Sequence, residues 1–144
     1  MKEFTTAEMV AFLEECHRDA AIPHYDFDPD SVAALVEAPG VHRMIYERDG
    51  RIEALAAWCV VPSPWNFKEA HGAELALHAR PSLPRTRKVR LLAQLITWMT
   101  DDARRRGMKS LRIQSHPNRT AVNRLLQSKG FYMHQISMEV SYGS

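Results

Sequence analysis

Residues 89–107 constrain the fold more than any other part of this chain. Leu91, Leu92, Leu95, Ile96, Met99 and Ala103 recur at helical spacing and make one apolar stripe. Arg104, Arg105 and Arg106 close the last turn, where cations suit the helix dipole, and Gly107 ends it. The segment before it, Arg80-Pro81-Ser82-Leu83-Pro84-Arg85-Thr86-Arg87-Lys88, carries two prolines that break any strand. Apolar stretches flank this pair: residues 73–79, centred on Glu74-Leu75-Ala76-Leu77-His78, and residues 111–115, where Leu111, Ile113 and Ser115 alternate with Arg112 and Gln114. A strand, a long helix and a second strand form a parallel crossover, which is right-handed as a rule, and the apolar stripe must then cover one face of a sheet.

The rest of the chain supplies more strands and the cover for the other face. Met9, Val10, Phe12, Leu13 and Cys16 predict a helix over about 6–19, capped by Thr5 or Thr6 with Glu8 in its first turn. Asp28-Pro29-Asp30-Ser31 opens a short second helix whose stripe is Val32, Leu35 and Val36, ending at Pro39-Gly40. Residues 41–47 and 52–61 flank Asp49-Gly50, a dipeptide that favours a tight hairpin, so they read as two antiparallel strands. Pro62, Pro64 and residues 66–72 read as a loop before the third strand. A helix over about 119–128 with Gly130 behind it, and a last strand or hairpin over 131–142, complete the order. The expected class is an α/β sandwich with a mixed, mostly antiparallel sheet, built as one domain over 1–144.

Composition excludes several alternatives. With 144 residues, 45% hydrophobic and 25% charged, the chain has the make-up of one ordinary globular domain. Its longest apolar run, residues 54–61, is too short to cross a bilayer, and the N-terminus lacks the pattern of a secretory signal, so a cytoplasmic address is expected. Cys16 and Cys59 stand far apart in apolar surroundings and read as small buried hydrophobes. No His-x-x-x-His or Cys-x-x-Cys pair supports a metal, and there is no phosphate-binding Walker loop, Rossmann glycine fingerprint or G-x-S-x-G elbow.

The small net charge of +2 hides a strong asymmetry. Residues 1–79 hold six basic and fourteen acidic side chains, whereas residues 80–112 hold ten basic and two acidic. The basic middle is therefore expected to meet an anion, and the acidic part a cation. Unsatisfied N–H groups at the start of the long helix, with Arg80, Arg85, Arg87, Lys88 and Arg90 around them, make a ready anion site. On the preceding strand, residues two apart share a face, so Glu74, Ala76 and His78 should point the same way into a cleft. Trp65-Asn66-Phe67 could wall an acceptor pocket there.

This sequence of strand, basic loop, long helix, strand, Asn-bearing turn, short helix and Lys129-Gly130-Phe131 resembles the GNAT superfamily of N-acetyltransferases over roughly residues 41–140. The family's pyrophosphate loop, Q/R-x-x-G-x-G/A, aligns with Arg85-Thr86-Arg87-Lys88-Val89-Arg90, and its catalytic glutamate eleven positions earlier aligns with Glu74. Lys88 and Arg90 stand where the family has small residues. Their side chains push a ligand outward, yet they adopt the negative φ of a helix start freely and can bind phosphate themselves.

The resemblance implies acetyl-CoA as acyl donor and an amine as acceptor. Glu74 would be the base that removes a proton from the ammonium, with His78 in reserve. The coenzyme site would comprise Leu75, Leu77, Arg80, Arg85, Thr86, Arg87, Lys88, Val89, Arg90 and Asn118. The family's usual acid, a tyrosine, falls on Leu126, and Tyr132, Tyr142 and Ser128 are the hydroxyls near it in sequence. A rival reading is a catalytically silent protein of the same fold, using the basic stripe to grip nucleic acid or a protein partner. The C-terminal strands would be the surface for a homodimer.

Overall fold

The computed structural model describes residues 3–20, 26–63, 65–115, 119–133, 138, 140 and 142. In chain order the elements are α1 (Thr6–Ala20), α2 (Pro29–Glu37), β1 (His42–Arg48), β2 (Arg51–Ser63), β3 (Asn66–Ala79), α3 (Arg85–Arg105), β4 (Leu111–Arg112) and α4 (Thr120–Ser128). The strands form one sheet in the order β1-β2-β3-β4, antiparallel between the first three and parallel between β3 and β4. That parallel step is the crossover around α3 and confirms the mixed α/β class.

Local chemistry explains the element ends. Thr5 and Glu8 form a reciprocal capping box: the Thr5 N–H donates to Glu8 Oε2 at 2.9 Å, and the Glu8 N–H donates to Thr5 Oγ1 at 3.2 Å. Asp28 caps α2 by accepting from the Ser31 N–H at 3.3 Å, with Pro29 in the first turn. Asp49 and Gly50, at φ 54° and 76°, make the two-residue turn that joins Arg48 to Arg51.

β2 lies in the middle and is buried from Ile52 to Trp58. Ala54, Ala56 and Trp58 join Leu77 under α3 and α4, meeting Leu91, Leu95, Ile96 and Met99. Leu55 and Ala57 join Ala76 on the other face, under Met9, Phe12 and Cys16 of α1 and Val36 of α2. Because both faces are covered, β2 is apolar without a break from Ala54 to Val61, where a half-exposed strand would alternate.

Three boundaries differ from the sequence reading. α3 begins at Arg85, four residues earlier than the apolar stripe suggests, because the Lys88 N–H closes a turn on the Pro84 carbonyl at 3.0 Å. Residues 66–72 are strand instead of loop. The pairing of β1 with β2 reaches only to Trp58, so among the described residues the later part of β2 has a free side where Pro62 is tolerated, and residues 70–72 pair with residues 60–62 on the other. β4 is only two residues long, against the expected 111–115. Half of the residues of the final strand or hairpin expected over 131–142 fall outside the described residues. Among the described residues no helix is long and apolar enough to cross a membrane.

Candidate active site

The short β4 opens the site. It pairs with β3 only at Gly72↔Leu111 and Ala73↔Arg112, so among the described residues no strand covers the far side of β3 from Glu74 to Ala79. Gly72 stands where the strands part: a Cβ there would lie 3.1 Å from Leu111 Cδ1 and 3.2 Å from Trp58 Cε3, so a side chain fits only if both neighbours give by a few tenths of an ångström. Beyond Ala79 the chain turns through Pro81 to Pro84 into α3, which starts without a side-chain cap and without an acidic residue in its first turn. An uncovered strand edge and an uncapped helix start therefore lie in succession along the same stretch of chain.

Glu74 and His78 border this edge on opposite faces of β3. A bulge separates them: Ala57 pairs with Ala76 but Trp58 pairs with Glu74, leaving Leu75 as the extra residue. Glu74 thus takes the face of Trp58, while His78, opposite Leu55, keeps the face of Ala76. The expectation that Glu74, Ala76 and His78 share one face is corrected, since one inserted residue inverts the alternation. Both groups are partly buried. Burial pushes the Glu74 carboxyl up to about 7, although the Arg119 cation pulls the other way. Burial, aided by Arg119, drives His78 down to about 4, so its imidazole is neutral at physiological pH.

Arg119, the residue at the start of α4, was not singled out in the sequence, where nothing marks it beyond following Asn118. Its charge also reaches Cys16, whose thiol is raised to about 12, chiefly by burial. The thiol lies 3.9 Å from the Ala79 carbonyl at the end of the open edge.

Of the five cations expected to surround the helix start, three are engaged within the protein. Arg80 Nε donates to the Ile52 carbonyl at 2.8 Å, its Nη1 pairs with Glu15 of α1, and its guanidinium lies 5.3 Å from the Phe12 ring centroid. Arg87 Nη2 donates to Glu53 Oε1 at 2.6 Å. Lys88 Nζ donates to the Pro81 carbonyl at 3.2 Å. Arg85, Thr86, Val89 and Arg90 are exposed. Leu75 packs toward the α1–α2 cluster and the Leu77 side chain is in the core, so what Leu77 has left for a ligand is its main chain. Asn118 lies outside the described residues.

No family model matches the chain, and no curated protein matches it in sequence. Solved structures do match over nearly the whole length. An aminoglycoside acetyltransferase from an uncultured soil metagenomic sample is 9% identical, with 96% of this chain and 90% of that one aligned at a TM-score of 0.72. A ribosomal-protein-alanine N-acetyltransferase from Brucella melitensis biovar Abortus 2308 is 12% identical over 95% and 93%, at 0.70. A transcriptional regulator from Bacillus halodurans C-125 is 11% identical over 98% and 97%, at 0.76. The chain has the GNAT fold.

Within this GNAT fold, several sequence expectations find other places. Leu126, at the family's usual tyrosine position, is buried in the core. Tyr132 and Tyr142 are exposed, and Ser128 Oγ donates to the Leu125 carbonyl at 2.7 Å. Trp65 and Phe67 sit at the tip of the β2–β3 hairpin, 94% and 83% exposed. Phe67 stands seven positions before Glu74 on the same strand, a reach of roughly 20 Å, so its ring does not wall a pocket at the carboxylate. A surface groove of about 600 Å³, lined by Gly40, His42, Trp98, Asp102 and Arg106 among others, lies toward the C-terminal end of α3 and contains none of the residues above.

Proposed function

We propose that residues 1–144 form one catalytic unit that moves an acetyl group from coenzyme A to an amine. The observation that carries this reading is the edge of β3 that no strand covers among the described residues, bearing the partly buried Glu74, in succession with the start of α3, which has no side-chain cap. A strand edge offers N–H and C=O groups to an extended ligand with amides of its own, as the pantetheine arm has. A helix start without an acidic residue suits a pyrophosphate, with Arg85 and Arg90 exposed beside it. The similarity of the fold to acetyltransferases supports the same reading.

The coenzyme supplies an activated thioester. Glu74, as the carboxylate, takes a proton from the acceptor's ammonium group. The freed amine forms its bond to the acyl carbon as the carbon–sulfur bond breaks, and the second proton, shed by the new amide nitrogen, reaches the thiolate through water. His78, neutral and depressed to about 4, is a poor proton acceptor by comparison. The basic stripe is a weak platform for nucleic acid, because Arg80, Arg87, Arg105 and Arg106 spend their charge on Glu15, Glu53 and Asp102.

The test is a pH–rate profile, followed by release of free thiol from acetyl-CoA with a small primary amine as acceptor. Glu74 is active when ionised, so kcat/KM should rise through about pH 7 and show an inflection there. That inflection should vanish in Glu74→Gln. A profile with the same inflection in the variant would assign the proton transfer to another group.

A further inference from the structure

Glu53 is a buried carboxylate near the start of the inner strand β2, 4% exposed. Tyr46 pairs with Ala54 and Glu47 with Ile52, so Glu53 is the extra residue of a second bulge. Its two oxygens face one guanidinium, with Arg87 Nη2 at 2.6 Å from Oε1 and Arg87 Nε at 3.4 Å from Oε2. The Arg87 side chain keeps this carboxyl below the ordinary glutamate range, against the opposing effect of burial. The main chain at the same point holds the other end of the loop. The Arg80 N–H donates to the Glu53 carbonyl at 2.7 Å, and Arg80 Nε donates to the Ile52 carbonyl. Residues 52–53 of β2 thus grip both Arg80, where β3 ends, and Arg87, in the first turn of α3.

We propose that Glu53 is a positioning residue for coenzyme binding, its carboxylate locking Arg87 to β2 and so fixing the first turn of α3 beside the open edge of β3. This assignment rests on the coenzyme reading above. It gives a physical role to a departure of the sequence: Lys88 and Arg90 replace small residues, so the shape of this segment is set by a cross-link to the sheet. It also removes Arg87 from the phosphate contacts and leaves Arg85 and Arg90 as the exposed cations.

The experiment titrates coenzyme A into the wild type, Glu53→Gln, Glu53→Asp and the double variant Glu53→Gln/Arg87→Gln at about 50 and 200 mM salt. It also measures KM for acetyl-CoA, kcat and the thermal midpoint of each. Glu53→Gln should weaken coenzyme A binding on the order of tenfold and raise KM to match, with kcat nearly unchanged. Glu53→Asp, which keeps the charge, should recover part of that loss. The double variant leaves neither charge buried alone, so it carries the test should the single one fail to fold. Its salt dependence should equal that of the wild type, because the charge of Arg87 is spent on Glu53 and not on phosphate.

A merely structural pair would lower the thermal midpoint and leave KM unmoved, which would overturn the proposal. So would a double variant whose salt dependence falls by the share of one phosphate contact, since Arg87 would then be a ligand. A wild type that binds no coenzyme A at all would overturn the coenzyme reading itself, and this assignment with it.

Discussion

Glu74→Gln is expected to lower turnover by about 100-fold or more while leaving coenzyme affinity nearly unchanged. The amide keeps the shape of the side chain, so the strand and its bulge should persist, but it cannot accept the ammonium proton. Thermal stability gives this substitution a second signature. The folded-state pKa of about 7 lies above the ordinary glutamate value of 4.5, so folding favours the protonated form. Stability from this group is then full below about pH 4.5 and is lost as pH rises through 7. At pH 8 the carboxylate is a charge held out of water, and its replacement by Gln should leave the melting temperature equal to or above that of the wild type. A variant that is inactive because it is unfolded would melt lower, so the two measurements together separate chemistry from stability. Full activity in a folded Glu74→Gln protein would remove Glu74 from the mechanism.

The largest effect on stability is expected at Trp58. Its side chain is completely buried among Ala54, Ala56, Leu77 and the apolar face of α3. Its Nε1–H donates to Asp102 Oδ2 at 3.0 Å, and the His42 ring lies 4.7 Å away. Asp102 also accepts from Arg105 Nη2 at 2.9 Å and Arg106 Nε at 3.1 Å, so the indole ties β2 to the last turns of α3. Trp58→Ala should cost about 3–5 kcal/mol through the cavity and the lost transfer energy. That corresponds to a fall of roughly 10–17 °C in melting temperature for a chain of this size. Trp58→Phe retains most of the volume and loses the donor, which should cost about 1–3 kcal/mol. Thermal or urea unfolding reads both values. A Trp58→Ala loss no larger than that of Trp58→Phe would mean that the hydrogen bond, and not the packing, holds this region.

What could be read in the sequence was what local chemistry decides. A cap at Thr5 or Thr6 with Glu8 in the first turn, the Asp28-Pro29 start, the Asp49-Gly50 turn and the stripe from Leu91 to Ala103 are patterns of neighbours a few residues apart; the fold chooses Thr5 for the first and places the others where their chemistry puts them. What could not be read depends on partners distant in the chain. The bulge at Leu75 exists because β2 and β3 slip by one residue between Ala57 and Trp58, and no local feature of Glu74-Leu75-Ala76 announces it. Residues 66–72 look like a loop because their polar side chains hide a backbone that finds its partners on β2.

The candidate site divides in the same way. Glu74 and the basic segment were identified in the sequence, but the number of cations there overstated the free charge. Arg80 and Arg87 find carboxylates 65 and 34 positions away, on Glu15 and Glu53. Arg119, which no sequence motif marks, acts by its charge on Glu74, His78 and Cys16.

The most direct test of the account is a calorimetric titration of the intact protein with acetyl-CoA, repeated for Arg85→Ala at low and moderate salt. The account predicts one site per chain with a dissociation constant within about 1 μM to 1 mM, the range in which enzymes commonly hold their substrates. Arg85→Ala should weaken that binding and flatten its dependence on salt, because an exposed cation beside the start of α3 would be lost. No saturable heat up to millimolar acetyl-CoA, or binding indifferent to Arg85 at both salt concentrations, would contradict it.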